Sequence, residues 1–112
     1  MALPIKNRLK NKKDFDAVFK KGKALNGIFL FIKSLPSSLG YPRFGFIVAA
    51  KFAPKAVLRN KIRRLLADVV WPAHLLNMPA CDTVVVVTKK IPTDVSVVRD
   101  DFVAVLRRAR FI

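Results

Sequence analysis

Apolar positions along this chain change period several times, and each change predicts an element. Over residues 12–21 (KKDFDAVFKK), Phe15, Val18 and Phe19 fall at i, i+3 and i+4, on one face of a short helix. Gly22 follows as a stop. Residues 28–35 (IFLFIKSL) are apolar, β-branched and aromatic, which predicts a strand. Turn-forming residues crowd Pro36 to Pro42, and residues 43–50 (RFGFIVAA) predict a second strand, paired with the first as a hairpin. The clearest helix covers residues 54–70, with Leu58, Ile62, Leu65, Leu66, Val69 and Val70 on one arc at about 100° per residue. Pro54 suits its first turn and Pro72 ends it. Residues 73–81 fit no single pattern, being broken by Pro79. Residues 82–88 (DTVVVVT) predict a strand covered on both faces. Residues 96–110 predict a last helix with an apolar stripe of Val98, Phe102, Val105, Leu106 and Ala109. Ser96 is its expected cap. Asp100 and Asp101 in its first half, and Arg107, Arg108 and Arg110 at its end, complement the helix macrodipole. The order predicts a mixed α+β fold of two layers.

This pattern suits one domain over residues 1–112, with residues 1–10 (MALPIKNRLK) as a basic, partly extended arm. Charge then narrows the partner. Hydrophobic content of 53% supports a core, yet the net charge is +15. A foldable domain so charged repels itself, and a polyanion relieves that repulsion, so nucleic acid is the expected partner and a membrane surface the lesser one. Lys33 interrupts the apolar stretch nearest the N-terminus, and no run reaches the roughly 18 residues of a membrane span. A cytoplasmic protein is expected, with no membrane partner and no small-molecule substrate.

Catalytic groups are scarce. His74 and Cys81 are the only His and Cys, too few for a zinc site of the usual kind within one chain. The seven acids are all Asp, and the adjacent Asp100 and Asp101 do not face one another on a helix. The four glycines are scattered and form no phosphate loop. No catalytic residue and no metal ligand is expected. What the chain concentrates is cations: Lys51, Lys55, Arg59, Lys61, Arg63 and Arg64 span residues 51–64 without one acid. On the helix, Arg59, Asn60, Lys61, Arg63 and Arg64 fall off the apolar arc. A merely solvated face mixes signs, whereas this one suits phosphate, which the planar Arg fork grips at two points.

At these residues the chain resembles a known family. Residues 44–66 (FGFIVAAKFAPKAVLRNKIRRLL) are similar to the signature of the bacterial ribonuclease P protein family, a G-x-x-V-S-x-K strand end followed by A-V-x-R-N-R-x-[KR]-R on a helix. Gly45, Val48, Lys51, Ala56, Val57, Arg59, Asn60, Arg63 and Arg64 match it; Lys61 replaces the second Arg of Arg-Asn-Arg, and Ala49 the usual Ser. Asn7-Arg8-Leu9, Asp14-Phe15, Val18-Phe19 and Asp82 also resemble family motifs, with Lys89 as a following basic residue.

The resemblance implies the order α-β-β-β-α-β-α, with a left-handed β-α-β crossover through the Arg-Asn helix. It adds one strand to the pattern above, expected within residues 43–53 or as a split hairpin. It implies a protein that binds the catalytic RNA subunit of ribonuclease P and the 5′ leader of precursor tRNA. Mg²⁺ would serve the holoenzyme, held mainly by RNA and not by the protein alone. RNA-subunit contacts are expected at Lys51, Lys55, Arg59, Asn60, Lys61, Arg63 and Arg64. Leader contacts are expected in a cleft between the first helix and the sheet, at Phe15, Phe19, Lys51 and Ile32, the last aligned with a family Tyr across a one-residue gap. Arg8, Lys12 and Lys89 are expected as auxiliary cations. The competing readings are a ribosomal-type RNA-binding protein or RNA chaperone, a DNA-binding helix module, and a stand-alone nuclease; the last lacks catalytic groups.

Overall fold

The computed structural model describes residues 3–112; Met1 and Ala2, the start of the expected arm, lie outside the described residues. Helix α1 spans Lys12–Lys21, strand β1 Lys23–Asn26, β2 Leu30–Pro36, β3 Arg43–Ile47, helix α2 Ala56–Val70, β4 Cys81–Val87 and α3 Ser96–Arg108. The order is α-β-β-β-α-β-α, the expected α+β fold, but α1 lies on one face of the sheet and α2 and α3 on the other, so there are three layers and not the expected two. Short 3-10 turns at Ile5–Asn7 and Leu75–Asn77 shape the arm and the Pro-broken segment after α2.

The strands form one sheet in the order β1-β2-β4-β3. β4 pairs antiparallel with β2 and parallel with β3, so Val86 lies opposite both Phe31 and Ile47. The expected hairpin between residues 28–35 and 43–50 is thus absent, because β4 separates them. Burial explains the choice: Val84 and Val85 are 0% exposed and Val87 1%, and only a central strand is covered so fully on both faces. The hairpin that does form joins β1 to β2, with Lys23 opposite Ser34. β1 is the additional strand, at residues 23–26 and not within 43–53. Its residues, KALN, are largely exposed, so no apolar alternation marks it.

Strand parity divides the core. Leu30 and Ile32 of β2, Phe44 of β3, and Val85 and Val87 of β4 share a cluster with Ile62 and Leu66 of α2 and Phe102 and Leu106 of α3. Residues of the other parity face α1, where Val84 packs with Leu9 and Val18. Each fully buried aliphatic side chain contributes about 1.5–3 kcal/mol. Burial of Ile62, Leu66 and Val70 therefore fixes which arc of α2 is left to solvent.

Several boundaries differ from expectation. Lys55 is the N-cap of α2, so Pro54 precedes the helix and does not sit in its first turn. Ser96 is the first residue of α3 and not its cap; its backbone N–H and its hydroxyl both donate to Asp94 Oδ1, at 3.0 and 2.7 Å. Those two bonds hold the Asp94 carboxyl below the usual range. α3 ends at Arg108; Arg110 adopts a left-handed φ of 62°, and the Phe111 N–H returns to the Leu106 carbonyl. Asp101, expected as a macrodipole charge, is buried, and its carboxylate accepts the N–H groups of Ile28 and Phe29 at 2.9 and 2.8 Å. It clamps the β1–β2 turn onto α3.

Candidate RNA-binding surfaces

The basic helix grows out of a loop that its own first turns stabilise. After β3, the N–H groups of Phe52 and Ala53 turn back to the Ala49 carbonyl. Arg59 Nη1 then donates to the carbonyls of Ala53 and Pro54, both at 3.0 Å. Arg59 is therefore partly committed to the loop. Lys55, Asn60, Lys61 and Arg64 are exposed, and Arg63 is half-buried toward the arm. Arg63 Nη1 donates to Asn60 Oδ1 at 2.8 Å, so the neutral residue of the motif aims a charged one. No acid lies in the first turn of α2.

The arm extends this surface. Leu9 N–H donates to the Phe44 carbonyl at 2.9 Å, and Arg8 bridges to Phe44, so the arm lies along the outer edge of β3. Asn7, 4% exposed, fixes it by donating through Nδ2 to the Pro42 carbonyl at 2.7 Å. Arg8 joins Arg63 and Arg64 around one pocket.

The second surface lies across the sheet. α1 crosses β4 near Asp82–Val84: the Phe15 ring occupies the space a Cβ on Gly45 would need, and Gly22 backs onto Ser34. Val18 is wholly buried, with Phe15 and Phe19 half-buried on either side of it. Beyond α1, the cross-strand row Phe31, Val86 and Ile47 remains only partly covered. Phe31 belongs to neither buried cluster. Lys33 reaches from the same face of β2 to donate its Nζ to the Phe19 carbonyl.

Ile32 is not part of this cleft. It is 1% exposed and packs on the α2/α3 side, because its parity is opposite to that of Phe31 and Lys33. Sequence reasoning missed both of these residues, although alternation within IFLFIKSL, with Lys33 on the odd positions, marks their face as the less buried one. Lys51 and Lys89 leave the same end of the parallel pair β3 and β4, on segments joined by the Ile91 N–H to the Phe52 carbonyl at 3.2 Å. The Lys51 Nζ lies 4.9 Å from the centre of the Phe52 ring. Lys12 opens α1 at the opposite end of β3, beside Asp14, so it does not join them.

Asp14 contacts Arg43, which forks onto the buried Asp82 at 2.8 and 2.7 Å. The hydrogen bond that Arg43 donates to Asp82 raises the Arg43 pKa against the opposing effect of desolvation. Burial, then the Asp82 charge, pushes the Cys81 thiol up as well. Among the described residues, no helix is long and apolar enough to cross a membrane.

Comparison with known proteins bears on the family and the fold. A model of the family described as Ribonuclease P matches residues 3–110. The chain is similar to the ribonuclease P protein component of Microcystis aeruginosa, 39% identical over 74 residues, which cover 62% of each protein. The chain thus spans less than two thirds of that relative. It is 30% identical over 108 residues to the component of Thermotoga maritima, covering 92% of each. Its structure resembles the RNase P protein of Staphylococcus aureus, with a TM-score of 0.82, 25% identity and coverage of 94% and 96%. It also resembles that of Thermotoga maritima, with a TM-score of 0.77, 29% identity and coverage of 90% and 96%.

Proposed function

The chain belongs to the ribonuclease P protein family, and on that premise we propose that it is the protein subunit of a tRNA-processing endoribonuclease, binding the catalytic RNA and the 5′ leader of precursor tRNA. One observation carries the reading: two different nucleic-acid chemistries occupy opposite faces of one sheet. The α2 face offers cations without acids in its first turn, which suits the dense phosphates of a folded RNA. The α1 face offers two partly exposed rings, Phe19 on α1 and Phe31 on β2, with Lys51 and Lys89 at one end of the sheet, which suits a single strand that stacks its bases. In this role residues 1–112 act as one domain in the cytoplasm, with residues 1–10 as its arm.

Mg²⁺ would serve the holoenzyme by stabilising charge at the scissile phosphate, and we assign it to the RNA. Four of the seven carboxylates are engaged elsewhere: Asp14 and Asp82 with Arg43, Asp94 with Ser96, Asp101 with backbone N–H groups. No step is routed through the protein.

The test is cleavage of precursor tRNA at low Mg²⁺ by a bacterial ribonuclease P RNA, with and without the chain. The expected result is cleavage by RNA plus protein and none by RNA-free protein. Site-specific cleavage by the protein alone, or no effect of adding it to the RNA, would overturn the proposal.

A further inference from the structure

We propose that the pocket between the arm, β3 and α2 receives one unpaired nucleotide of the RNA bound on the α2 face. Its base would enter the apolar interior and its phosphate would lie among Arg8, Arg63 and Arg64. This inference rests on the RNA-binding reading above and names what that surface selects.

The pocket has a volume of about 250 Å³. Its interior is Leu3, Phe44, Phe46 and Ala67, and its three other lining residues are the arginines, with no acid among them. The interior is preformed. Phe46 stacks on Phe44 with ring centres 6.1 Å apart and planes 10° from parallel, and its ring meets Phe102 edge-on at 6.2 Å. The wall made by the arm is fixed by the buried Asn7 and by the Leu9 N–H. Arg8 uses Nε on the Leu3 carbonyl at 2.7 Å, and Arg63 uses Nη1 on Asn60, so each guanidinium is oriented while retaining further donors.

The chemistry selects the occupant. A free anion gains nothing from an apolar floor, and an apolar peptide side chain gains nothing from three guanidinium groups at the rim. A nucleotide has both parts, a flat ring and an attached phosphate. Proteins read RNA mainly at unpaired bases, which can leave the stack for such pockets. Guanidinium planes serve the phosphate by forked hydrogen bonding.

Ala67→Met tests this, because the longer side chain fills the pocket without altering charge. Affinity for a bacterial ribonuclease P RNA should fall on the order of tenfold, as for loss of one base contact, at an unchanged salt slope. An affinity within about twofold of wild type, a difference of about 0.4 kcal/mol, would overturn the inference while leaving the RNA-binding reading intact. Failure of the wild-type chain to bind the RNA would instead sink that reading. Should the variant fail to fold, a titration of the wild-type protein decides. Adenosine 5′-monophosphate should saturably shift the NMR signals of Leu3, Ala67 and the Phe46 ring, whereas ribose 5-phosphate should not. Equal shifts from both compounds would overturn the inference.

Discussion

Arg43 and Asp82 face each other across the parallel pair β3 and β4 in register, and their side chains close a two-point ion pair at 2.8 and 2.7 Å. Asp14 of α1 adds a third corner at 3.3 Å. The pair thus fixes the strand register and the helix that walls the cleft. Both side chains are largely buried, at 17% and 12% exposure, so removing one partner leaves the other charge poorly solvated. Asp82→Ala should cost about 3 kcal/mol, the lower end for buried pairs, because Asp14 remains as a partial acceptor. Arg43→Met with Asp82→Leu should cost clearly less than the sum of the single changes. Urea denaturation of the three variants measures both quantities, and strict additivity would contradict the coupling.

Phe31→Ala should weaken binding of a single-stranded leader by about 1–3 kcal/mol while leaving the melting temperature nearly unchanged, since its ring joins neither core cluster. Ile32→Ala should do the reverse, with about 2–5 kcal/mol of stability lost and no selective loss of leader affinity. Phe19→Ala should show both effects, because Phe19 is half-buried against Val18 and Val84. Fluorescence titration with a leader oligonucleotide, beside thermal melts, distinguishes the three patterns.

Removing a phosphate contact should flatten the slope of log K against log salt by about 0.7 to 0.9, the range for single strands and duplexes. Arg63→Ala should do so with the fold intact. Asn60→Ala should lower affinity at nearly constant slope, because Asn60 is neutral and acts by aiming Arg63. Arg59→Ala should flatten the slope and also cost about 1 kcal/mol or more, because two loop carbonyls lose their donor. Filter binding to ribonuclease P RNA across salt concentrations tests all three. Unchanged slopes in Arg59→Ala/Arg63→Ala would move the RNA site off α2.

Gly27 has a close-approach role. A Cβ there would lie 2.6 and 2.7 Å from the Asp101 carboxylate oxygens and 2.8 Å from a Val105 methyl. Gly27→Ala should therefore destabilise by about 1–3 kcal/mol, as overpacking does, by displacing the clamp on Ile28 and Phe29. Hydrogen exchange should report faster opening at those two amides. Wild-type protection in the variant would show that the clamp tolerates the methyl group.

The three helices are legible in the sequence through their apolar periodicity, and β4 through its run of valines. The acid-free run of cations over residues 51–64 is legible in the sequence itself, because no folding detail can hide six like charges. The illegible parts share a cause: they depend on which segments meet. Nothing local in residues 28–50 says that β4 will enter between two consecutive strands, so adjacency in sequence suggests the wrong hairpin. Asp101 lies on a helix where a macrodipole role is sensible; its true partners are more than 70 residues away. Placing Ile32 in the cleft depends on a one-residue gap, and in a strand one residue exchanges the two faces.

One of the two inner strands of the sheet, β4, is also the last of the four that the ribosome delivers. Until residues 81–87 emerge, β2 and β3 each lack the ladder they form with β4, and each presents unpaired backbone to solvent. The β1–β2 hairpin can form early, but an isolated two-stranded hairpin is marginal in water. The chain is therefore synthesised through a long stretch in which its cation-bearing helix α2 exists without the complete sheet that supports it. RNA binding on the α2 surface, as proposed, is accordingly tied to synthesis of β4: a nascent chain halted before Val87 should neither resist protease nor hold RNA with the discrimination of the protein that has its whole sheet.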